Sequence, residues 1–190
     1  MPRWEPDTLS RLRAAAIELF TEHGYEHVTA EAIAARAGVT RRTFFRYFSD
    51  KREVLFAGSE RLPPAIAEAV REVEAGRPPM DAIRLGLLAI AGELSDGLDH
   101  TAARRAIIEA NADLQERERT KQAAVTDALA AALESRGEPP HTAHLYAGVG
   151  SVILQSAFDQ WVSTPRTRSL STCIQSQWDH VAAGVAPSAP

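Results

Sequence analysis

The sequence has little of what marks secreted, metal-binding or membrane-spanning proteins. Its 190 residues include one cysteine, Cys173, which excludes an internal disulfide, and they show no CxxC or His/Cys spacing typical of zinc sites. No run approaches the roughly 18 consecutive apolar residues that a membrane helix needs. We therefore expect no metal, no cofactor, no membrane partner and a reducing, cytoplasmic location.

Signatures of common enzymes are also missing. The chain has no GxSxG, P-loop or Gly-rich dinucleotide motif. His141 and His144 are three residues apart at an expected helix start, but no third metal-ligand motif accompanies them. Glu109 and Asp113 fit a solvated acidic helix face. We expect no catalytic residues and no enzyme activity.

Strand patterns are absent too, and the chain predicts an all-α fold. Alanine and leucine dominate, and glycine or proline interrupts the sequence at intervals that suit helices. The first four helices are expected from Asp7 or Thr8 to Gly24, from Thr29 to Gly38, from Arg41 to Phe48, and from Ser49 or Asp50 onward. Later helices are expected at Met80–Asp96, Thr101–Leu114, Arg117–Arg136, His141–Ser163 and Arg166–Gly184.

Residues 28–51 follow the plan of a helix-turn-helix. Thr29 and Thr40 are N-cap candidates for two short helices, and Gly38 between them suits a left-handed helix end. Val39 and Phe44 are expected in the small core beneath the second helix. In a helix-turn-helix, the second helix enters the major groove of DNA.

Charge is distributed unevenly along the chain. The net charge is −4, yet the segment from Arg36 to Arg52 contains one acidic residue, Asp50. Its six basic residues are Arg36, Arg41, Arg42, Arg46, Lys51 and Arg52. A short basic segment in an acidic protein indicates a local anionic target. A basic surface helix in an ordinary bundle is the alternative, but its coincidence with the helix-turn-helix layout favours double-stranded DNA.

Residue type suggests how this segment would contact DNA. Arg41 and Arg42 lie in the first turn of the recognition helix, where two parallel arginine hydrogen bonds can identify guanine. Thr43 and Phe45 suit a thymine methyl or a sugar, and four further residues suit phosphates. The phosphate-contacting candidates are Thr40, Arg46, Tyr47 and Lys51, and Thr29 completes the expected DNA-binding set.

These residues resemble a known family. The segments AAIELFTEHGY (15–25), TAEAIAARAGVT (29–40) and RRTFFRYFSDK (41–51) closely resemble the N-terminal domain of TetR/AcrR-family regulators. The resemblance implies a homodimeric repressor with a three-helix head at residues 1–56. It implies an antiparallel helical bundle for ligand binding and dimerisation at residues 57–190, with about nine helices in all. Residues 42–48 resemble the branch that includes mycofactocin-system and acyl-CoA-responsive regulators.

The last two expected helices carry apolar stripes that must be buried against another part of the protein or against a second subunit. The resemblance implies a four-helix interface between two subunits, and packing within one subunit is the alternative. The expected interface residues are Val149, Val152, Ser156, Leu170, Cys173, Ile174, Trp178 and Val181. Cys173 is expected there as a small hydrophobe, with no redox role.

A ligand pocket is expected inside the bundle, for an unidentified, largely apolar small molecule. Asn111 is placed on the core side of its helix, where a buried amide needs a partner. The other lining candidates are Tyr146, Gln155, Phe158 and Trp161, for each of which ordinary core packing is an equal alternative. A DNA-binding adaptor controlled by a protein partner, without such a pocket, is a rival, and activation is an alternative to repression.

The helix that begins at Asp50 is the expected lever between head and body. Pro63 and Pro64 each remove a backbone donor and crowd the preceding turn. They should therefore kink this helix or end it early.

Overall fold

The computed structural model describes residues 6–95, 101–164 and 168–185, and these residues are helical without any strand. This confirms the all-α prediction. The helices are α1 (Pro6–His23), α2 (Ala30–Arg36), α3 (Arg41–Tyr47), α4 (Glu53–Phe56), α5 (Leu62–Arg71), α6 (Pro79–Ser95), α7 (Thr101–Glu109), α8 (Ala112–Ser135), α9 (Pro140–Ser163) and α10 (Leu170–Val185). Short 3-10 turns occupy Tyr25–His27 and Ser59–Arg61. Within the described ranges, no helix has the length and apolarity needed to cross a membrane.

The chain forms two compact units. The first comprises Met1–Gly58 together with Asp99–Glu118, and the second comprises Ser59–Leu98 together with Arg119–Pro190. The sequence predicts a domain boundary near residue 56, but it does not predict that residues 99–118 belong to the first unit.

The first unit is built around the helix-turn-helix. Its core contains Leu12 and Phe20 from α1, Ile33 from α2 and Phe44 from α3, all of them at most 3% exposed. Ile107 and Ile108 of α7 and Leu114 of α8 join the same core. Burial of each large side chain contributes about 1.5–3 kcal/mol. The core placement expected for Phe44 is confirmed.

The second unit is a bundle in which α6 packs against α5, α9 and α10. Two glycines bring its helices into direct contact. A Cβ added at Gly86 would lie 2.7 Å from Val70 Cγ2, and one added at Gly150 would lie 2.7 Å from Ile83 Cγ2. These helices therefore approach more closely than a side chain at either glycine would allow.

The helix after Asp50 does not reach the prolines. It ends at Phe56, and Gly58 follows in the left-handed region with a φ of 83°. Pro63 and Pro64 lie instead in the first turn of α5, where a missing N–H leaves no intrahelical bond unmade. The helix after Asp50 therefore ends early, as predicted. However, Gly58 lies nearer to its end than Pro63 and Pro64 do, and the prolines belong to the start of the next helix.

Two other boundaries differ from the prediction. The structure divides the expected helix Thr101–Leu114 after Glu109 and starts α8 at Ala112, so that Asn111 lies between two helices. The described part of α10 begins at Leu170, and residue 166, the expected start, lies outside the described residues.

Candidate nucleic-acid interface

The turn between α2 and α3 is fixed by local hydrogen bonds. The Thr29 Oγ1 accepts a hydrogen bond of 3.1 Å from the Ala32 N–H, and the Thr40 Oγ1 accepts one of 3.1 Å from the Thr43 N–H. Gly38 has a φ of 68°, a conformation that glycine adopts without strain. Both threonines therefore cap their helices as the sequence predicts, because each oxygen satisfies a backbone donor that the helix cannot.

The inner face of α3 anchors the helix in the first unit. The Phe44 side chain is 0% exposed and Phe48 is 5% exposed, with 5.5 Å between their ring centroids. Because these rings hold one side of α3 in the core, the side chains on the opposite side face solvent.

The outer face of α3 is basic and partly aromatic. Arg41, Arg42 and Arg46 are exposed, and α3 itself carries no acidic residue. Phe45 is 44% exposed, which is unusual for a large apolar side chain on a short helix. The Arg46 guanidinium lies over the half-buried Tyr47 ring, with 5.2 Å from its Cζ to the ring centroid.

Intramolecular partners reduce the basic charge that the sequence suggests. Arg36 pairs with Glu22 at 2.8 Å and with Glu18 at 3.3 Å, and its hydrogen bond lowers the pKa of Glu22. Arg52 pairs with Asp50 at 2.8 Å and lowers the pKa of that carboxyl. In the described part of the chain, the guanidinium groups of both arginines are therefore already paired with carboxylates.

Arg41 also has an acidic partner, whereas two other arginines of α3 do not. The Arg41 Nε lies 2.5 Å from Glu31 Oε1 in the first turn of α2. Within the described ranges, no acidic side chain pairs with Arg42 or Arg46. On α3, these two guanidinium groups are therefore the ones whose charge no described carboxylate offsets.

The ammonium group of Lys51, which the sequence predicts as a phosphate contact, is engaged within the first unit. Its Nζ donates to the backbone carbonyls of Tyr25 at 2.8 Å, Val28 at 3.1 Å and Glu26 at 3.3 Å. It also lies 4.3 Å from the centroid of the Tyr25 ring. A lysine ammonium has three N–H donors, and all three are engaged here. Lys51 thus ties the segment before α4 to the turn that precedes α2.

The apolar stripes of α9 and α10 divide into buried and exposed residues. Leu170, Cys173 and Ile174 are at most 1% exposed in the core of the second unit, which corrects their expected place at a subunit interface. Packing within one subunit, the alternative at the sequence level, accounts for these three. Burial raises the pKa of the Cys173 thiol.

The remaining predicted interface residues are accessible. Val152 is 66% exposed and Val181 is 40% exposed, while Val149, Ser156 and Trp178 are half-buried. Leu145, which the sequence analysis did not select, is 65% exposed. Its position four residues before Val149 was the signal that could have identified it.

The structure does not gather the five predicted pocket residues. Asn111 belongs to the first unit, where its Nδ2 donates to the Ile107 carbonyl at 2.6 Å. Gln155 is exposed, whereas Tyr146, Phe158 and Trp161 pack against the core of the second unit.

Two surface pockets stand out in the described residues, and neither is lined by these side chains. One of about 170 Å³ lies between Arg11 and Arg36, and one of about 750 Å³ lies between the Arg71–Pro79 segment and Arg136. Both are open to solvent.

Fold and site together define a helix-turn-helix protein with an exposed basic recognition helix. Residues 12–57 match the family described as bacterial regulatory proteins, tetR family. The chain is 38% identical to the HTH-type transcriptional regulator TcmR of Streptomyces glaucescens over 90 residues, which are 47% of this chain and 40% of TcmR. It therefore spans less than half the length of that relative.

Two further proteins match over nearly the whole chain. A candidate mycofactocin biosynthesis transcriptional regulator of Mycobacterium tuberculosis, MftR, is 27% identical over 90% of this chain and 87% of its own. The structure of Thermus thermophilus FadR, a TetR-family repressor in complex with lauroyl-CoA, has a TM-score of 0.56 at 24% identity, and covers 96% of this chain and 97% of FadR. Residues 12–57 therefore carry the segment that defines the tetR family of bacterial regulatory proteins, and the chain is similar to transcriptional regulators over most of its length.

Proposed function

We propose that the protein is a sequence-specific transcriptional regulator, most simply a cytoplasmic repressor at a near-palindromic operator. The observation that carries this proposal is the contrast between the two sides of α3. Phe44 is fully buried, whereas Arg42 and Arg46 project from an acid-free helix without acidic partners among the described residues. A helix of this kind can enter the major groove, with arginines on base edges and phosphates.

The second part of the proposal is a homodimer formed through α9 and α10. Leu145, Val149, Val152 and Ser156 follow one another at intervals of three or four residues, which places them on one helix face. The two most exposed of these, Leu145 and Val152, are the kind of apolar surface that a second copy would cover.

The dimer can be tested by introducing a charge into this stripe. We expect Val152→Glu to shift the species seen by analytical ultracentrifugation from a dimer to the 20.6 kDa chain. Ala131→Glu, which adds the same charge at an exposed position on α8, is the matched control and should leave the dimer intact. A Val152→Glu protein that remains dimeric would place the interface elsewhere.

Repression and release follow from the spacing of two recognition helices. A dimer that presents its two α3 helices about 34–36 Å apart can enter successive major grooves. A ligand that binds better to a different spacing lowers the population that fits DNA. We propose a ligand of the acyl-CoA class, whose apolar acyl chain would lie in the bundle, since FadR is bound to lauroyl-CoA and the neighbouring rings of Phe158 and Trp161, 5.6 Å apart, are half-buried in the second unit.

A second candidate is an adaptor controlled by a protein partner. The observation that favours it is the tight packing at Gly86 and Gly150, where neighbouring helices fill the space that a ligand would need. Thermal unfolding with and without lauroyl-CoA separates the two candidates. Saturable stabilisation that also releases DNA supports ligand control, whereas an unchanged midpoint at millimolar ligand supports the adaptor.

The experiment that tests the proposed function is selection of bound sequences from a random duplex pool. We expect a near-palindromic consensus whose binding weakens steeply with salt. The absence of any enriched sequence would contradict the proposal. Repeating the selection with lauroyl-CoA present tests whether the same molecule is responsible for release.

A further inference from the structure

Arg41 is held in place although it lies on the surface. Its side chain is 68% exposed, yet its Nε lies 2.5 Å from Glu31 Oε1 and its Cζ lies 5.2 Å from the centroid of the Phe45 ring. Glu31 contacts the guanidinium at one edge, and Phe45 contacts it on one face. Arg42, its neighbour on α3, has no such contacts among the described residues.

These contacts decide which edge of the guanidinium remains available. The five N–H donors of arginine form a fixed planar fork. Because Nε is the guanidinium nitrogen nearest to the Glu31 carboxylate, the outer edge, which carries Nη1 and Nη2, is left to present two parallel donors. That arrangement matches the O6 and N7 acceptors of guanine in the major groove.

The charge of Glu31 changes the kind of partner that Arg41 favours. Attraction of an arginine to phosphate rests mainly on its net positive charge and on counterion release. A carboxylate at 2.5 Å offsets that charge, whereas the directional hydrogen bonds to a base edge depend on orientation. The first-turn backbone N–H of Glu31, together with Arg41, lowers the pKa of this carboxyl, so it is ionised at neutral pH.

We propose that Glu31 is a specificity-determining positioning residue, which directs Arg41 to read guanine in the operator and keeps it from acting as a phosphate contact. The inference rests on the proposed DNA-binding function and extends it to one base of the recognition sequence. Immobilising a flexible side chain on binding costs about 0.5–1.5 kcal/mol, equivalent to about 2- to 12-fold in affinity. Glu31 and Phe45 reduce this cost before DNA is bound.

The test uses two variants of equal charge at one position. Affinities are measured for four duplexes that differ only at the base pair whose preference is lost in Arg41→Ala. We expect Glu31→Ala to reduce the preference for guanine at that pair by about 2- to 12-fold. Glu31→Gln should fall between Glu31→Ala and the natural protein, since its amide oxygen can still lie against the Nε of Arg41.

The matched controls are Glu22→Ala and Glu22→Gln. They remove the same charge from another surface ion pair, the one with Arg36, so they should change the affinity for all four duplexes alike. Equal effects of Glu31→Ala and Glu31→Gln on all four duplexes would overturn the proposal, because they would show that Glu31 acts through charge alone. If the natural protein itself showed no preference among the four duplexes, that result would instead contradict the proposed function.

Discussion

Lys51 offers a sharp test, because sequence and structure assign it different roles. The sequence suggests a phosphate contact, whereas the structure directs all three N–H donors of Lys51 at the carbonyls of Tyr25, Glu26 and Val28. The informative change is Lys51→Met. Methionine keeps an unbranched chain over the Tyr25 ring and removes only the charged donor group.

The expected magnitude follows from the contacts that are lost. Tyr25 and Val28 present part-buried carbonyls, and a hydrogen bond to a charged group contributes about 1.5–3 kcal/mol. The cation–π contact at 4.3 Å adds about 0.5–1 kcal/mol. Because such terms are not additive and water can replace part of them, we expect a loss of about 2–4 kcal/mol in the free energy of unfolding. For a chain of 190 residues this lowers Tm by about 4–16 °C.

The assay combines thermal unfolding with DNA titrations at several salt concentrations, carried out well below both unfolding midpoints. Arg52→Met is the control, because it removes the same charge from an exposed pair with Asp50, and exposed ion pairs contribute little to stability. A Lys51→Met protein with an unchanged Tm, but with a salt slope reduced by about 0.9 per subunit, would refute our assignment. That result would support the phosphate contact that the sequence predicts for Lys51.

Three further changes test other parts of the structure. Burial raises the pKa of Tyr25 to about 12 from an ordinary value of 10.0. The contribution of the neutral phenol to stability is therefore complete below pH 10 and is lost as pH rises to about 12. Tyr25→Phe should reduce this loss in the free energy of unfolding, measured by urea unfolding across that pH range. Gly86→Ala, whose Cβ would lie 2.9 Å from a backbone nitrogen of α5, should cost about 1–3 kcal/mol, whereas Gly92→Ala on the same helix should cost nothing measurable. Arg104→Met should cost about 2–4 kcal/mol because it removes the guanidinium that lies 2.9 Å from the part-buried carboxylate of Glu118. Equal stability of Gly86→Ala and Gly92→Ala, or of Arg104→Met and the natural protein, would contradict the contact concerned, as would a loss of stability above pH 10 that Tyr25→Phe leaves unchanged.

Local chemistry made the helix-turn-helix predictable from sequence. Thr29, Gly38 and Thr40 act on backbone groups within three residues of themselves, and their roles follow from residue type and spacing. The core position predicted for Phe44 followed from its place on the inner side of the second helix, and Phe48, four residues later, is buried beside it.

Contacts between distant segments were not predictable in the same way. Lys51 meets carbonyls 23 to 26 residues earlier in the chain, and Glu31 meets Arg41 across the turn. Neither partner is specified by a local pattern. Leu170 and Ile174 have the spacing of a helix stripe, but spacing alone does not say whether the same subunit or another one buries it.

The central claim is that the outer face of α3 meets guanine in the major groove. Methylation interference on a selected duplex tests this directly, because dimethyl sulfate modifies guanine N7 in the major groove and adenine N3 in the minor groove. We expect blocked binding when guanine N7 is methylated in two half-sites about 10–10.5 base pairs apart. Binding that tolerates every N7 methyl group and is blocked only by minor-groove methylation would contradict the account.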